Sequence, residues 1–214
     1  MNVLTDNFSL YGKGFLGTVE LTVYASLLAL ALGFLMASCR VAPVRSLRAL
    51  GTVWVTVLRN TPLTLLFFAV VLGLPRFGLV LPFQLFAVLA LGCYTSAFIC
   101  EVLRSGINTV PTGQGEAARS LGMSFGQTLS DIVLPQAFRT VIPPIGSTLI
   151  ALAKNSAIAG AFSVTELLGT YKPLSEMGYS IIWTFVWIAV GYLIITLTIA
   201  ALFNFLEKRY GVAR

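Results

Sequence analysis

Histidine is absent from this chain and charge is scarce, with 14 lysines and arginines and 8 acidic residues among 214, or 10% charged in all. Losing histidine removes the side chain most often used as a general base and metal ligand near neutral pH. With few carboxylates and no converging Ser/Lys or Cys-based set, a membrane-embedded enzyme would have no nucleophile and base to pair. The three cysteines, Cys39, Cys93 and Cys100, are odd in number and all lie in apolar segments. They read as small buried hydrophobes, and no disulfide framework is expected. No G-x-x-x-x-G-K-[ST] stretch occurs, so the chain cannot itself cradle ATP phosphates.

What the sequence does have is apolar length. It is 57% hydrophobic with a mean hydropathy of +0.89, and apolar runs of about 20 residues recur along it. These are the marks of an integral membrane protein of one domain. Five spans are expected, at about residues 15–39, 53–74, 81–103, 141–162 and 179–206. Each can cross roughly 30 Å of hydrocarbon at about 1.5 Å per residue. The first run is too long for a signal-peptide core and is expected to remain as a span. The pair Pro143-Pro144 is expected to disturb the fourth helix.

The basic residues set the expected orientation. An N-terminus outside places Arg40, Arg45, Arg48, Arg104, Arg119, Arg139, Lys208, Arg209 and Arg214 on the cytoplasmic side and leaves Lys13, Arg76 and Lys172 outside. This distribution follows the positive-inside rule, so the net charge of +6 is topological and no nucleic-acid partner is implied. Residues 1–13 then form an outer segment, 14–207 the transmembrane domain and 208–214 a cytoplasmic tail.

One polar stretch interrupts the apolar runs on the cytoplasmic side, "GQGEAARSLGMSFGQTLSDIVLPQAF" at 113–138. Thr112 is placed to cap a helix running through Glu116 and Ala118 to about Leu121, and Gly122 to end it in a left-handed conformation. Ser124 and Gln127 have capping-box spacing for a second helix, apolar at Phe125, Leu129, Ile132 and Val133, which is expected to last until Pro135 opens the next span. Two short helices joined at a glycine make a compact docking shape.

Glu116-Ala117-Ala118, Gly122 and Ile132-Val133-Leu134-Pro135, at these spacings, resemble the EAA loop of ATP-binding-cassette importer permeases. "GFLGTVELT" at 14–22, "RNTPL" at 59–63, "EVLRSGI" at 101–107 and "AKNSAIAG" at 153–160 resemble segments of the polar amino-acid branch. Within that branch, "RNTPLT", "YTSAF" and "LRSGINTV" look most like glutamate permeases, with Asn60 standing where many members have glycine.

The resemblance implies an all-α, five-span, type I (MetI-like) importer permease in a bacterial cytoplasmic membrane. Glu116, Ala117, Ala118, Gly122, Ile132, Leu134 and Pro135 would then couple to a separate ATPase dimer, which binds the ATP and magnesium, while this chain holds no cofactor. The further implied partners are a substrate-binding protein outside and a second permease, a homologue in the glutamate-type systems. Five helices alone would expose a polar path to lipid, which independently calls for a second chain.

Other residues have competing readings. Arg59 and Thr61, at the inner end of the second span, either touch the translocation path or, for Arg59, snorkel to headgroups. Glu101 and Arg104 have i,i+3 spacing and are expected to form a local ion pair. Lys154-Asn155-Ser156, in the outer half of the fourth span, either faces the path and receives a carboxylate or serves the interface and a neighbouring helix. Glu166 and Tyr171, in an outer loop with Lys172, either touch the substrate or a docking partner or are simply solvated, and solvation is the expectation. Trp183, Trp187, Tyr179 and Tyr210 are expected in interface belts and on lipid-facing surfaces. A secondary transporter or channel, the alternative class, would show internal repeats or many intramembrane carboxylates, and neither is present.

Overall fold

A computed structural model describes residues 3–210, so Arg214 and the end of the expected tail lie outside the described residues. The apolar runs form helices because a helix satisfies every interior backbone group within its own segment, which lipid requires. Four helices are long and apolar enough to cross a membrane: Phe8–Val41 (α2), Phe83–Asn108 (α5), Phe125–Phe162 and Ile181–Tyr210 (α10). A single turn, α1 (Val3–Asp6), precedes them. The first helix thus begins inside the stretch expected to be an outer segment.

The expected second span is not one straight helix. Arg45–Asn60 (α3) and Leu63–Phe77 meet at 108°. Pro62 is the cause, since its ring bars helical geometry at the residue before it and Thr61 is extended at φ −95° and ψ 130°. Side chains close the broken end, with Thr61 Oγ1 donating to Val57 O at 2.7 Å and Asn60 Nδ2 to Thr56 O at 2.7 Å. Beyond the bend, α4 (Leu63–Phe68) passes through a π turn and a 3₁₀ turn to Gly78. α3 itself is amphipathic, burying Gly51, Val55 and Leu58 while exposing Arg45, Arg48 and Asn60.

α2 and α5 pack most extensively, because small residues let their backbones approach. A Cβ on Gly33 would lie 2.5 Å from Ile99 Cγ2, and one on Gly92 would lie 2.6 Å from Leu28 Cδ2. Around this seam Leu21, Ala25, Phe67, Leu91 and Leu152 form the main core, extended by stacking of Phe67 on Phe162 at 5.1 Å. A second cluster, with Tyr11, Leu167, Leu174 and Ile188, ties the start of α2 to α10, and a third, with Met36, Val55, Leu58 and Cys100, closes the opposite end.

The two prolines of the fourth span do not break it. α8 (Leu134–Asn155) runs through Pro143 and Pro144, and its pitch changes only afterwards, to a 3₁₀ turn at Ser156–Phe162. Neighbouring helices can hold a proline-bearing span in place where an isolated helix would fray. α10 buries one stripe, Thr184, Ile188, Gly191 and Ile195, and exposes the rest. Trp183 lies on the exposed side, whereas Trp187 and Tyr179 pack against the second core cluster.

Candidate functional site

The polar interruption folds into a knuckle. α6 (Thr112–Ser120) begins from Pro111, whose fixed φ of −58° and extended ψ of 136° launch the first turn. Thr112 is therefore already helical and makes no side-chain cap, contrary to expectation. The other end closes as a Schellman motif, with the Met123 N–H donating to Ala118 O at 3.1 Å and the Gly122 N–H to Arg119 O at 2.9 Å. That geometry needs a left-handed residue, and Gly122 has φ +80°. The capping box forms as expected, with the Gln127 N–H donating to Ser124 Oγ at 3.3 Å and the Ser124 N–H to Gln127 Oε1 at 2.9 Å.

The second helix does not stop at Pro135. From α7 (Phe125–Gln127) the chain widens to a π turn at Thr128–Val133 and enters α8 without a break, forming one helical run to Phe162. Pro135 lies within this continuous run, just after the π turn, and does not interrupt it. The knuckle and the apolar span are thus parts of one helix.

Within the knuckle Ala118 is buried, while Glu116 and Ala117 face outward with Gly122. Leu121 is 83% exposed and Phe125 81%, an apolar pair flanking the glycine. Ile132 is half-buried, and Leu134 and Pro135 are exposed. Among the described residues Glu116 has no ion-pair partner within the chain.

A charged cluster lies where α2, α3 and α5 converge. Glu101 pairs with Arg104 at 2.9 Å, as its spacing predicts, and also with Arg40. Arg59 Nη1 stands 4.0 Å from the same carboxylate, with its guanidinium 5.4 Å from the centre of the Phe98 ring. The local pair read from sequence is therefore a hub joining three helices. Nearby, Trp54 Nε1 donates to Ser96 Oγ at 2.9 Å and ties α3 to α5. The Thr61 hydroxyl donates to the α3 backbone at Val57 O.

At the other end of the bundle the expectation for Glu166 fails. Rather than being solvated, it is 1% exposed and accepts hydrogen bonds from the Leu168 N–H at 2.7 Å, the Gly169 N–H and the Tyr192 hydroxyl at 2.6 Å. Burial pushes its carboxyl above the ordinary range, and these donors partly offset that. Thr18 Oγ1 accepts from the Leu167 N–H at 2.9 Å and donates to Gly14 O at 3.1 Å, stitching the same segment to α2. Only glycine fits at Gly17 and Gly160, where an added Cβ would collide with the Thr165 carbonyl oxygen and the Glu166 carboxylate. The signal in the sequence was the density of glycines in "GFLGT" and "AIAGAF", which tight packing explains.

Beside this lock opens a recess of about 1050 Å³ lined by Lys13, Thr64, Phe68, Phe162, Glu166 and Lys172. Lys154 and Asn155 are not on its wall. Lys154 is exposed and Asn155 half-buried, but Ser156 is fully buried with its hydroxyl donating to Ala153 O at 2.7 Å. The three residues read together from sequence therefore do not share one face. Arg59 contacts α5 near the level of Thr140, and Lys154 lies about 21 Å further along α8 at helical rise, so the two candidate sets are not brought together.

Residues 29–211 match the family described as "Binding-protein-dependent transport system inner membrane component". The chain belongs to this family. This inner-membrane component is 39% identical over 209 residues to the probable glutamine ABC transporter permease protein GlnM of Bacillus subtilis, covering 98% of this chain and 97% of that one. It is 41% identical over 211 residues to the glutamate transport system permease protein GluC of Corynebacterium glutamicum, covering 92% of each. A crystal structure of an amino acid ABC transporter, with histidines, superposes with a TM-score of 0.91 at 29% identity over 96% of both chains. An inward-facing MetNI methionine ABC transporter gives a TM-score of 0.78 at 21% identity and shares the fold, covering 96% of this chain and 98% of that one. The expected MetI-like permease architecture is thus the one observed. The relatives are permease subunits rather than enzymes, which accords with the missing catalytic constellation.

Proposed function

We propose that this chain is the permease subunit of an ATP-driven importer for a polar amino acid, with glutamate as the substrate. The observation that carries the reading is the knuckle: an exposed Leu121-Gly122-Phe125 tip, closed by a Schellman motif and a capping box, continuous with a span. A rigid tip on a helical run of 38 residues, about 57 Å at helical rise, is a lever that converts movement of a docked protein into a swing of the span. A separate ATPase dimer supplies that movement and binds the ATP and magnesium. The relatives named for glutamate and glutamine transport support an amino-acid cargo, and the RNTPLT, YTSAF and LRSGINTV segments favour glutamate.

The arginine-rich ends then face the cytoplasm, with the N-terminus outside, and a substrate-binding protein delivers cargo at the outer end. The broad exposed faces of α2 and α10 are met by lipid and by a second, homologous permease chain. Lys154 and Asn155 face the path in this reading. Lys154→Met should raise the uptake KM, and unchanged kinetics in an assembled complex would remove Lys154 from it.

The test is purification of the chain from its membrane in mild detergent, with co-purifying proteins identified, for wild type, Gly122→Asp and Glu116→Lys. An ATPase and a second permease should accompany the wild type, and the ATPase should be lost from both variants. The wild-type complex in proteoliposomes should then take up labelled L-glutamate in preference to L-glutamine. A chain recovered alone, indifferent to both substitutions, would make the knuckle a mere connector.

A further inference from the structure

Among the charged groups of this chain, the hub at Glu101 is out of balance. Three guanidinium groups, from Arg40, Arg59 and Arg104, surround one carboxylate, which leaves a net charge of +2 (three positive, one negative). Each oxygen of the carboxylate already accepts from a guanidinium. Its Oε1 takes Arg40 and its Oε2 takes Arg104, while Arg59 at 4.0 Å is beyond hydrogen-bonding distance of it.

Arg59 and Arg104 border an open cavity of about 350 Å³ whose wall also includes Glu101, Ser105, Thr109 and Thr140. The two threonines complete the pattern. Thr109 Oγ1 donates to Gly106 O at 2.6 Å and Thr140 Oγ1 to Ala137 O at 2.8 Å, and the hydroxyl oxygens lie 3.3 Å apart. Either hydroxyl can donate to the other or to its backbone carbonyl, and the lone pairs left over make both oxygens acceptors on the cavity wall. One part of the wall thus offers guanidinium donors and another offers neutral acceptors, the complement of a zwitterion with its carboxylate and its ammonium.

We infer that this cavity is a subsite for the amino acid in transit, in which the Arg59 guanidinium receives a carboxylate and Thr109 and Thr140 accept from the ammonium. The inference rests on the amino-acid permease reading and adds to it a place and a set of contacts. Arg59 is the specific anchor because, unlike Arg40 and Arg104, it makes only a long ion pair and no hydrogen bond with Glu101, and its planar fork suits a carboxylate. Thr140 lies on α8, the helix continuous with the knuckle, and Arg59 does not, so a swing of α8 separates the two halves of the subsite and releases the cargo.

The experiment uses the assembled complex, with its ATPase and second permease, in phosphatidylcholine nanodiscs without binding protein. Equilibrium binding of tritiated L-glutamate and L-glutamine is measured for wild type, Arg59→Gln and Arg59→Lys. Arg59→Gln should weaken binding by about tenfold or more, the loss of one charge-assisted hydrogen bond, and Arg59→Lys should restore part of it. Unchanged affinity in assembled Arg59→Gln overturns the subsite. Should Arg59→Gln fail to assemble, Arg59→Lys carries the test through a severalfold loss, and wild-type affinity in that variant overturns it equally. Phosphatidylglycerol added to the nanodiscs should leave binding unchanged. Full competition by that lipid, with no dependence of amino-acid uptake on Arg59, would assign the donors to a headgroup phosphate and overturn the inference. Uptake in proteoliposomes separates the two levels: a wild type that imports amino acids while Arg59→Gln binds them normally rejects only the subsite, and a wild type that imports none rejects the permease reading as well.

Discussion

Replacing Gly122 by alanine isolates one physical cost. A Cβ built on Gly122 meets no atom within 4 Å, so alanine creates no clash within the chain. What it does create is backbone strain, because φ is +80° and an L-residue held there loses about 1–2 kcal/mol. That strain acts on the two bonds closing the knuckle, from Met123 N–H to Ala118 O and from Gly122 N–H to Arg119 O. If all of it favours local opening, the open population rises about 5- to 30-fold. Amide hydrogen exchange of the detergent-purified protein, read on peptides covering 118–124, should show that acceleration with the spans unchanged. Asparagine tolerates the left-handed region better than alanine does, so Gly122→Asn should exchange more slowly than Gly122→Ala despite its larger side chain. The reasoning is refuted if alanine exchanges like wild type, or if asparagine is worse than alanine, which would make size rather than conformation the determinant.

Two further outcomes are expected at the opposite end of the bundle. Gly17→Ala should sharply reduce the yield of folded protein, because its Cβ would collide with the Thr165 carbonyl oxygen, whereas Gly12→Ala, with open space around it, should behave like wild type; equal melting temperatures for the two would contradict the packing. Glu166 should make stability fall as pH rises above the ordinary carboxyl range. Its folded-state pKa is raised, so the unfolded chain loses this proton first and the folded state is relatively weakened until pH passes the raised value. Thermal melts from pH 4 to pH 8 should show this slope, and Glu166→Gln should flatten it.

The sequence by itself determined the membrane class and the place of the apolar runs, because runs of bilayer length have few other uses, although of the five spans expected four are single helices and the second is a bent pair. It also determined the capping box at Ser124 and Gln127 and the left-handed glycine between two short helices, since these are local geometries fixed within a few residues. Locality had limits even there: Pro111 rather than Thr112 starts the first helix, and the second runs past Pro135. The 108° bend at Thr61-Pro62 was legible in principle from the proline, but the apolar run across it masked the break. What only the tertiary structure decided are the meetings of residues far apart in the chain. Arg40 and Arg59 reach Glu101 because α2 and α3 pack on α5, and Glu166 reaches Tyr192 and the Thr18 neighbourhood because α2 and α10 close over its loop. A lone acid among apolar residues says only that a partner is required, and which partner supplies it depends on the packing of helices whose lipid-like faces carry little pairing information in sequence.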